Sequence, residues 1–160
     1  MPVRLALLLV PAVLVFTGCA KTIDEGKAEG FIKKTVAQQV GAKVKSVKCP
    51  GGLTAKKGET FTCTVTGTDG SSGRMLVTEK DDQGNVNVRA PFIHVRDLER
   101  LISSGLAKQV DSMVSVTCPE IIPGKEGGTF TCDATSGSDK ATVNVTQTDD
   151  KGNVRYKLAR

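Results

Sequence analysis

The sequence is poor in aromatic residues and in histidine. Only 4% of its 160 residues are aromatic, tryptophan is absent and histidine occurs once. A core with so few rings must be built from Val, Ile, Leu and Met, and such a core is thin. Aromatic side chains are also the surfaces on which single-stranded nucleic acids stack their bases. We therefore predict no nucleic-acid partner.

The net positive charge of the chain lies in its first half. The formal net charge is +5, of which Arg4 supplies one; residues 19–30 carry −1, residues 31–90 carry +5 and residues 91–160 carry 0. Exposed Lys and Arg are attracted to anionic lipid headgroups or wall polymers over a Debye length of about 10 Å. A solvated surface that maintains solubility is the simpler interpretation. Both interpretations stay open.

No hydrophobic run is long enough to span a bilayer as a helix, which takes about 20 residues. The run from Leu5 to Phe16 has 12 residues, and it follows Arg4 and precedes Thr17-Gly18-Cys19. This order is typical of a secretory signal peptide. We predict one over residues 1–18.

The small residues before Cys19 resemble the bacterial lipobox, in which the cysteine is acylated with diacylglycerol and becomes the first residue after cleavage. The resemblance implies an exported protein attached through Cys19 to the outer face of the cell membrane. Two or three acyl chains make attachment stable, since each buried CH₂ contributes about 0.8 kcal/mol. Secretion without an anchor is the alternative. Residues 19–30 are polar and predict a short tether.

Two segments of the chain repeat each other. Cys49 and Cys118 each precede a proline and lie 69 residues apart, and each is followed 14 residues later by a second cysteine, Cys63 and Cys132. The motif GETFTC recurs as GGTFTC, and DDQGNV recurs as DDKGNV. A duplication is the simplest account.

Each copy predicts an amphipathic helix ahead of its Cys-Pro pair. The first module, residues 31–90 with a helix that begins in the tether, has its apolar stripe at Ala28, Phe31, Ile32, Val36, Val40 and Val44. The second module, residues 91–160, has it at Leu98, Leu101, Ile102, Leu106 and Val110. Asp97 is the predicted N-cap of the second helix. Gly105 lies inside that helix, where Gly costs about 1 kcal/mol relative to Ala, so packing must require it.

After each helix the apolar period changes to two, which is typical of half-buried antiparallel strands. The strand residues of the first module that share the inward face are Phe61, Cys63, Val65, Met75, Val77, Val86 and Val88, and those of the second are Phe130, Cys132, Ala134, Val143, Val145, Val154, Tyr156 and Leu158. With short strands that end at Cys49 and Cys118, the pattern predicts an α+β protein. Each module is expected to have one helix packed on a four-stranded antiparallel meander.

The Asp-Asp-x-Gly-Asn segments that begin at Asp81 and Asp149 are hairpin turns by composition. As calcium loops they lack the glutamate that would bind in bidentate fashion. We predict no metal site.

The four cysteines after Cys19 allow three pairings. The duplication favours Cys49–Cys63 and Cys118–Cys132, because each copy then closes within itself. Zinc sites and thioredoxin-like sites need closer cysteine pairs, and neither spacing occurs. Disulfides indicate an oxidising compartment.

Residues suited to catalysis are nearly absent. His94 lies at the join between the modules, where a role in starting the helix or in packing is the favoured interpretation. No serine lies in a G-x-S-x-G motif, and every cysteine already has a predicted role. We therefore predict no enzyme, no catalytic residue and no cofactor.

A lipobox followed by repeated units of helix, Cys-Pro, Thr-Phe-Thr-Cys and Gly-Asn-Val resembles a family of actinobacterial, often mycobacterial, lipoproteins and membrane proteins. Their modules are of the domain of unknown function 4333 type. The resemblance covers residues 31–90 and 100–159 and implies an envelope location, a structural disulfide and no catalytic residues. In architecture alone, the tandem units are also similar to secreted beta-lactamase inhibitor proteins.

The function that we expect is a non-enzymatic interaction module of the cell envelope, which binds a protein or a wall polymer. One alternative is a carrier or sensor of a small apolar ligand. Another is a secreted-type enzyme inhibitor. A closed pocket or an exposed apolar patch in the structure discriminates among them.

Overall fold

The computed structural model describes residues 21–159, so Cys19 and the predicted signal peptide lie outside the described residues. Two helices and two four-stranded antiparallel sheets confirm the α+β fold. The elements are α1 Glu25–Val40, β1 Val44–Lys48, β2 Thr60–Gly67, β3 Ser72–Glu79, β4 Val86–Val88, α2 Val95–Val110, β5 Ser115–Thr117, β6 Thr129–Ser136, β7 Asp139–Gln147 and β8 Val154–Leu158. The sheets are ordered β1-β2-β3-β4 and β5-β6-β7-β8, which is the predicted meander in each module. Within residues 21–159, no helix is long and apolar enough to cross a membrane.

Helix α1 begins at Glu25, inside the segment predicted as a tether. Asp24 is its N-cap, and the Asp24 carboxylate accepts a hydrogen bond from the Lys27 backbone N–H at 3.0 Å. That bond is the main cause that lowers the pKa of Asp24 below 3.8. The predicted stripe begins at Ala28 and the helix begins three residues earlier, at Glu25, because Asp24 is a good N-cap; the tether is shorter than predicted. The helix ends at Gly41, whose φ of 69° is the left-handed conformation that glycine adopts without strain.

The residue at the N-cap position of α2 is His94, whose side chain makes no capping hydrogen bond, and the prediction of Asp97 as N-cap was wrong. The backbone N–H of Ile93 donates to the carbonyl of Ile122 at 2.9 Å, which keeps the chain extended up to His94. Asp97 lies in the first turn, where its carboxylate is 3.1 Å from His94 Nδ1 and 3.2 Å from an Arg100 guanidinium nitrogen.

Each helix buries a narrower stripe than the sequence predicts. The buried residues are Ala28, Ile32, Val36 and Val40 in α1 and Val95, Leu98, Ile102 and Leu106 in α2. Most of these positions form one row spaced four residues apart, which is enough to cover a small sheet. Phe31 and Leu101 lie beside that row and are 52% and 54% exposed, so their assignment to the core was wrong. Val110 continues the row in α2 but is 52% exposed, because it lies at the open end of the second module.

The strands alternate as predicted. Phe61, Cys63 and Val65 are buried on β2, and Cys63 pairs across the sheet with Met75. In the second module Cys132 pairs with Val143 in the same way. Each module has its own cluster of buried residues between helix and sheet.

Both disulfides pair as predicted. Cys49 is bonded to Cys63 and Cys118 to Cys132, each across a Cα–Cα distance of 4.3 Å. Each bridge ties the chain that follows the first strand of a module to its second strand.

A helix glutamate holds the chain at each disulfide, and sequence reasoning did not identify it. Glu29 accepts the Cys49 backbone N–H at 3.0 Å, and Glu99 accepts the Cys118 backbone N–H at 2.9 Å. The Cys49 bond is the main cause that lowers the pKa of Glu29 below 4.5.

Acid is expected to weaken this contact. A carboxyl whose pKa is lower in the folded state stabilises the fold at pH above its unfolded value, here near 4.5, and that stability is lost as the pH falls through the lower folded pKa. We expect the free energy of unfolding, measured by urea titration, to decrease between about pH 5 and about pH 3. Glu29→Gln should remove part of that decrease. Equal acid dependence in both proteins would refute the assignment.

Gly105 is explained by a close approach. The Tyr156 hydroxyl oxygen occupies the place where a Cβ on Gly105 would stand, so the ring packs directly against the α2 backbone. The sequence-based inference that packing requires Gly105 is supported by this contact.

Gly105→Ala should therefore destabilise the protein. The gain of about 1 kcal/mol in helix propensity is opposed by overpacking of about 1–3 kcal/mol. Gly30→Ala in α1 is the matched control, because a Cβ there meets nothing within 4 Å and should increase stability. Urea unfolding measures the free energy of unfolding of both variants. A stabilised Gly105→Ala variant would show that the Tyr156 side chain moves aside at little cost and that packing does not require Gly105.

Candidate binding site at the open end of the second module

The two modules are stacked head to tail. In each module the helix begins beside the Cys-Pro loop and ends beside the hairpin between the second and third strands. Phe92 and Ile121, at the helix-start end of the second module, are buried with the core of the first module. Both approach Gly73: a Cβ there would lie 2.5 Å from Phe92 Cε1 and 3.2 Å from Ile121 Cγ2. These two side chains close the helix-end of the first module.

Hydrogen bonds fix this junction. The Asp69 carboxylate accepts the Glu120 backbone N–H at 3.0 Å, and the Ser71 hydroxyl accepts the Ile121 N–H at 2.9 Å. In the other direction, the Lys43 N–H donates to the Glu120 carboxylate at 2.7 Å. Burial acts to raise the pKa of Asp69, but the hydrogen bonds from Ser71 and Glu120 outweigh it and the pKa is lowered.

The same end of the second module is open. Its cavity has a volume of about 280 Å³ between the end of α2 and the sheet. The apolar residues that line it are Leu106, Val110, Val114, Ala134, Ala141 and Leu158. Within residues 21–159, no segment closes this end as Phe92 and Ile121 close the first module.

Comparison of matching positions shows how exposed this end is. Val40 and Val110 are the last residues of their helices, yet Val40 is 3% exposed and Val110 is 52% exposed. Met113, next to the cavity in the chain, is 92% exposed, and Leu158 is 44% exposed. Val110 and Leu158, which both line the cavity, therefore face water at one end of the molecule, and Met113 is exposed in the connection that follows α2.

The cavity differs from its closed counterpart at two positions. Gly73 pairs with Val65, and Ala141 pairs with Ala134, so Ala141 is the counterpart of Gly73. Asp139 follows the shorter hairpin of the second module at the place of Ser71. The rim also carries Lys140, and the Ser112 and Ser136 hydroxyls are 2.7 Å apart across it.

The other end of the molecule has a different character. A groove of about 590 Å³ beside the start of α1 is lined by Lys21, Asp24, Lys27 and Lys80, with Phe31 at its side. Lys27 Nζ lies 3.3 Å from the Asp24 carboxylate. Asp81 and Asp82 follow Lys80 directly in the chain. Charges of both signs in an open groove do not define a site for one ligand class.

The residues singled out from the sequence lie away from the open end. The four bonded cysteines are at the opposite end of each module. His94 is a helix N-cap with a side chain 43% exposed. Asp81 and Asp149 each accept hydrogen bonds from their own turns, and a bond from the following asparagine is the main cause that lowers each pKa. In the described part of the chain, no three His, Cys, Asp or Glu side chains gather as metal ligands would.

Sequence reasoning missed the open end. Val110 and Leu158 have the apolar pattern of core residues, and only their surroundings distinguish them from Val40. The one available signal was the apolar pair at Phe92 and Ile121, since neither fits the helix stripe or the strand period of its own module.

The geometry defines a small protein of two tandem α+β modules, each closed by one disulfide. The chain belongs to the family described as domain of unknown function (DUF4333), whose model matches residues 8–84 and 88–152. The two matched segments correspond to the two modules. No curated protein and no solved structure matches the chain.

Proposed function

We propose that this protein is an exported actinobacterial lipoprotein of the cell envelope that binds a partner without catalysis, and that the open end of the second module is its binding surface. The single observation that carries the binding role is the exposed apolar end where Val110 lies 52% exposed. Contiguous apolar surface of this kind marks interaction sites in soluble domains.

Two further observations support the envelope location. A disulfide within each module is typical of proteins that fold outside the reducing cytoplasm. The sequence before residue 20 has the order of a signal peptide and a lipobox cysteine, Cys19. The described chain starts at Lys21, beside α1, whereas the open end lies on the side of the second module that faces away from the first. An anchor at Cys19 would therefore leave the binding surface accessible.

The anchor is tested by detergent partition and mass spectrometry of the protein expressed in an actinobacterial host. The native chain should enter the detergent phase and carry diacylglycerol on Cys19, and Cys19→Ser should stay in the aqueous phase. An unmodified Cys19 in the native protein would contradict the anchor.

The binding role is tested with variants of the open end. Val110→Ser combined with Leu158→Ser should abolish crosslinking to envelope proteins. Phe31→Ser combined with Leu76→Ser is the matched control, because these side chains are similarly exposed, at 52% and 58%, but lie on the first module. Loss of the same crosslinks in both variants, or in neither, would contradict the proposed surface.

The cavity also favours a second candidate, a carrier of a small apolar ligand. Its volume of about 280 Å³ is at the lower edge of typical small-molecule sites, which span roughly 300–1,000 Å³. Only a ligand of few atoms would fit. Native mass spectrometry of protein purified from its own host tests this candidate, and a mass equal to that of the bare lipoprotein would remove it.

A further inference from the structure

We propose that the open end docks a further module of the same family, carried by another envelope protein, which inserts one aliphatic side chain beside Ala141. This inference rests on the proposed binding role and names the partner's chemistry.

The junction inside the molecule is the template. The helix-end of the first module is closed by Phe92 and Ile121 from the helix-start end of the next module. The second module has the same elements in the same order, and its helix-end is open. The surface that complements such an end is therefore already present in the structure, and it is the helix-start end of a module.

The shape of the cavity selects an aliphatic side chain. A Cβ on Gly73 would lie 2.5 Å from the Phe92 ring, and in the second module the methyl group of Ala141 stands at that position. A phenyl ring in the same pose would overlap this methyl group. Leu, Ile or Met fits better, and a cavity of about 280 Å³ has room for one such side chain.

Polar groups at the rim match the backbone of an incoming module. Asp139 replaces Ser71, whose hydroxyl accepts the Ile121 N–H at 2.9 Å. A carboxylate at that position accepts a backbone N–H more strongly than a hydroxyl does. Met113 replaces Lys43, whose N–H donates to Glu120 at 2.7 Å, so an acidic residue of the partner is expected to meet the Met113 backbone.

A second copy of this chain is a poor occupant. Its free helix-start end is that of the first module, where Thr22 and Gly52 stand in place of Phe92 and Ile121. Thr22 bridges Thr54 as Phe92 bridges Pro123, which establishes the correspondence. Neither Thr22 nor Gly52 supplies a large apolar side chain, so head-to-tail association of identical chains is not expected.

Docking can be measured in a chain extended by one module. Residues 20–158 are followed directly by a second copy of residues 91–160, in which the added copy carries Phe92→Leu to suit Ala141. This direct fusion holds the added module at an effective concentration of about 1 mM or more relative to the open end. Val110→Cys in the original copy reports on the open end through its rate of reaction with a soluble disulfide reagent.

We expect the thiol introduced by Val110→Cys to react quickly in the two-module chain. In the extended chain the same thiol should react at least about tenfold more slowly, because the docked side chain closes the cavity. Val40→Cys in the two-module chain calibrates the fully closed end. The control is an extended chain whose added copy carries Phe92→Ser and Ile121→Ser. These residues belong to the core of the preceding module, so the added module still folds, which its circular dichroism will verify.

Equal reaction rates in the extended chain and its control would overturn the proposal. Two measurements on the native lipoprotein complete the test. A dimer in analytical ultracentrifugation, together with a slowly reacting thiol in the Val110→Cys variant, would assign the end to a second copy. An apolar adduct in native mass spectrometry that is lost on Ala141→Trp substitution would assign it to a small molecule. Both outcomes overturn docking, and neither depends on acylation of Cys19, so failure of the anchor is recognised separately.

Discussion

Replacing Phe92 with alanine is expected to destabilise the first module, although Phe92 lies in the segment that starts the second. The ring is 8% exposed and is buried with the first core beside Gly73. Truncation of a buried Phe typically costs about 3–5 kcal/mol, through lost burial and the cavity that remains. The second module should keep its stability, because its own core contains no atom of this ring. Residue-resolved hydrogen exchange separates the two modules in one experiment.

Leu101→Ala is the control for this prediction. Leu101 is large and apolar but 54% exposed, so its truncation should change the free energy of unfolding by no more than about 0.5 kcal/mol. If Phe92→Ala lowered the protection of both modules equally, or of the second alone, the head-to-tail junction described above would be wrong.

Removal of one disulfide is the second large expected effect. The double substitution Cys49→Ala with Cys63→Ala opens a bridge between residues 14 apart, which should cost about 3 kcal/mol in the chain-entropy model. A thin core supplies little more than that unaided, so the first module should be largely unfolded at about 37 °C. Thermal unfolding followed by circular dichroism should show two transitions for this variant, where we expect a single transition for the native protein.

The equivalent double substitution of Cys118 and Cys132 should weaken the second module to a similar degree. A first module that loses stability along with it would reveal how much the docked end of the second module contributes. If reduction of both bridges left the unfolding temperature unchanged, their structural role would be refuted.

Patterns within one module were predictable from the sequence. The alternation around Cys63 and Cys132 requires a strand with one buried face, because side chains alternate across a strand with a period of two. The duplicated spacing of the cysteines was sufficient to predict both disulfide pairs. Gly105 was recognised as needing a packing partner, although its partner, Tyr156, was not.

Boundaries and exposure were less predictable. Asp97 is as good an N-cap residue as Asp24 by composition, yet α2 begins two residues before it. The extended pairing of Ile93 with Ile122 ends directly before His94, so the helix starts there and Asp97 falls in its first turn. Phe31 and Leu101 fit a helical stripe, but the sheet beneath each helix is too narrow to cover them. In each case the helix boundary or the exposure of the side chain depends on residues from elsewhere in the chain, and local propensity does not predict it.

By itself, the sequence determined the duplication, the α+β class, the order of one helix followed by four antiparallel strands, and the two disulfides. All of these depend on periodicity and spacing along the chain. Only the tertiary structure decided which end of each module is covered. Val40 and Val110 occupy the same position in the same local pattern, and they differ because the first has another module against it and the second does not. Whether a side chain is buried depends on the residues that pack against it from elsewhere in the chain. The proposed binding surface is therefore recognised only when the two modules are compared in three dimensions.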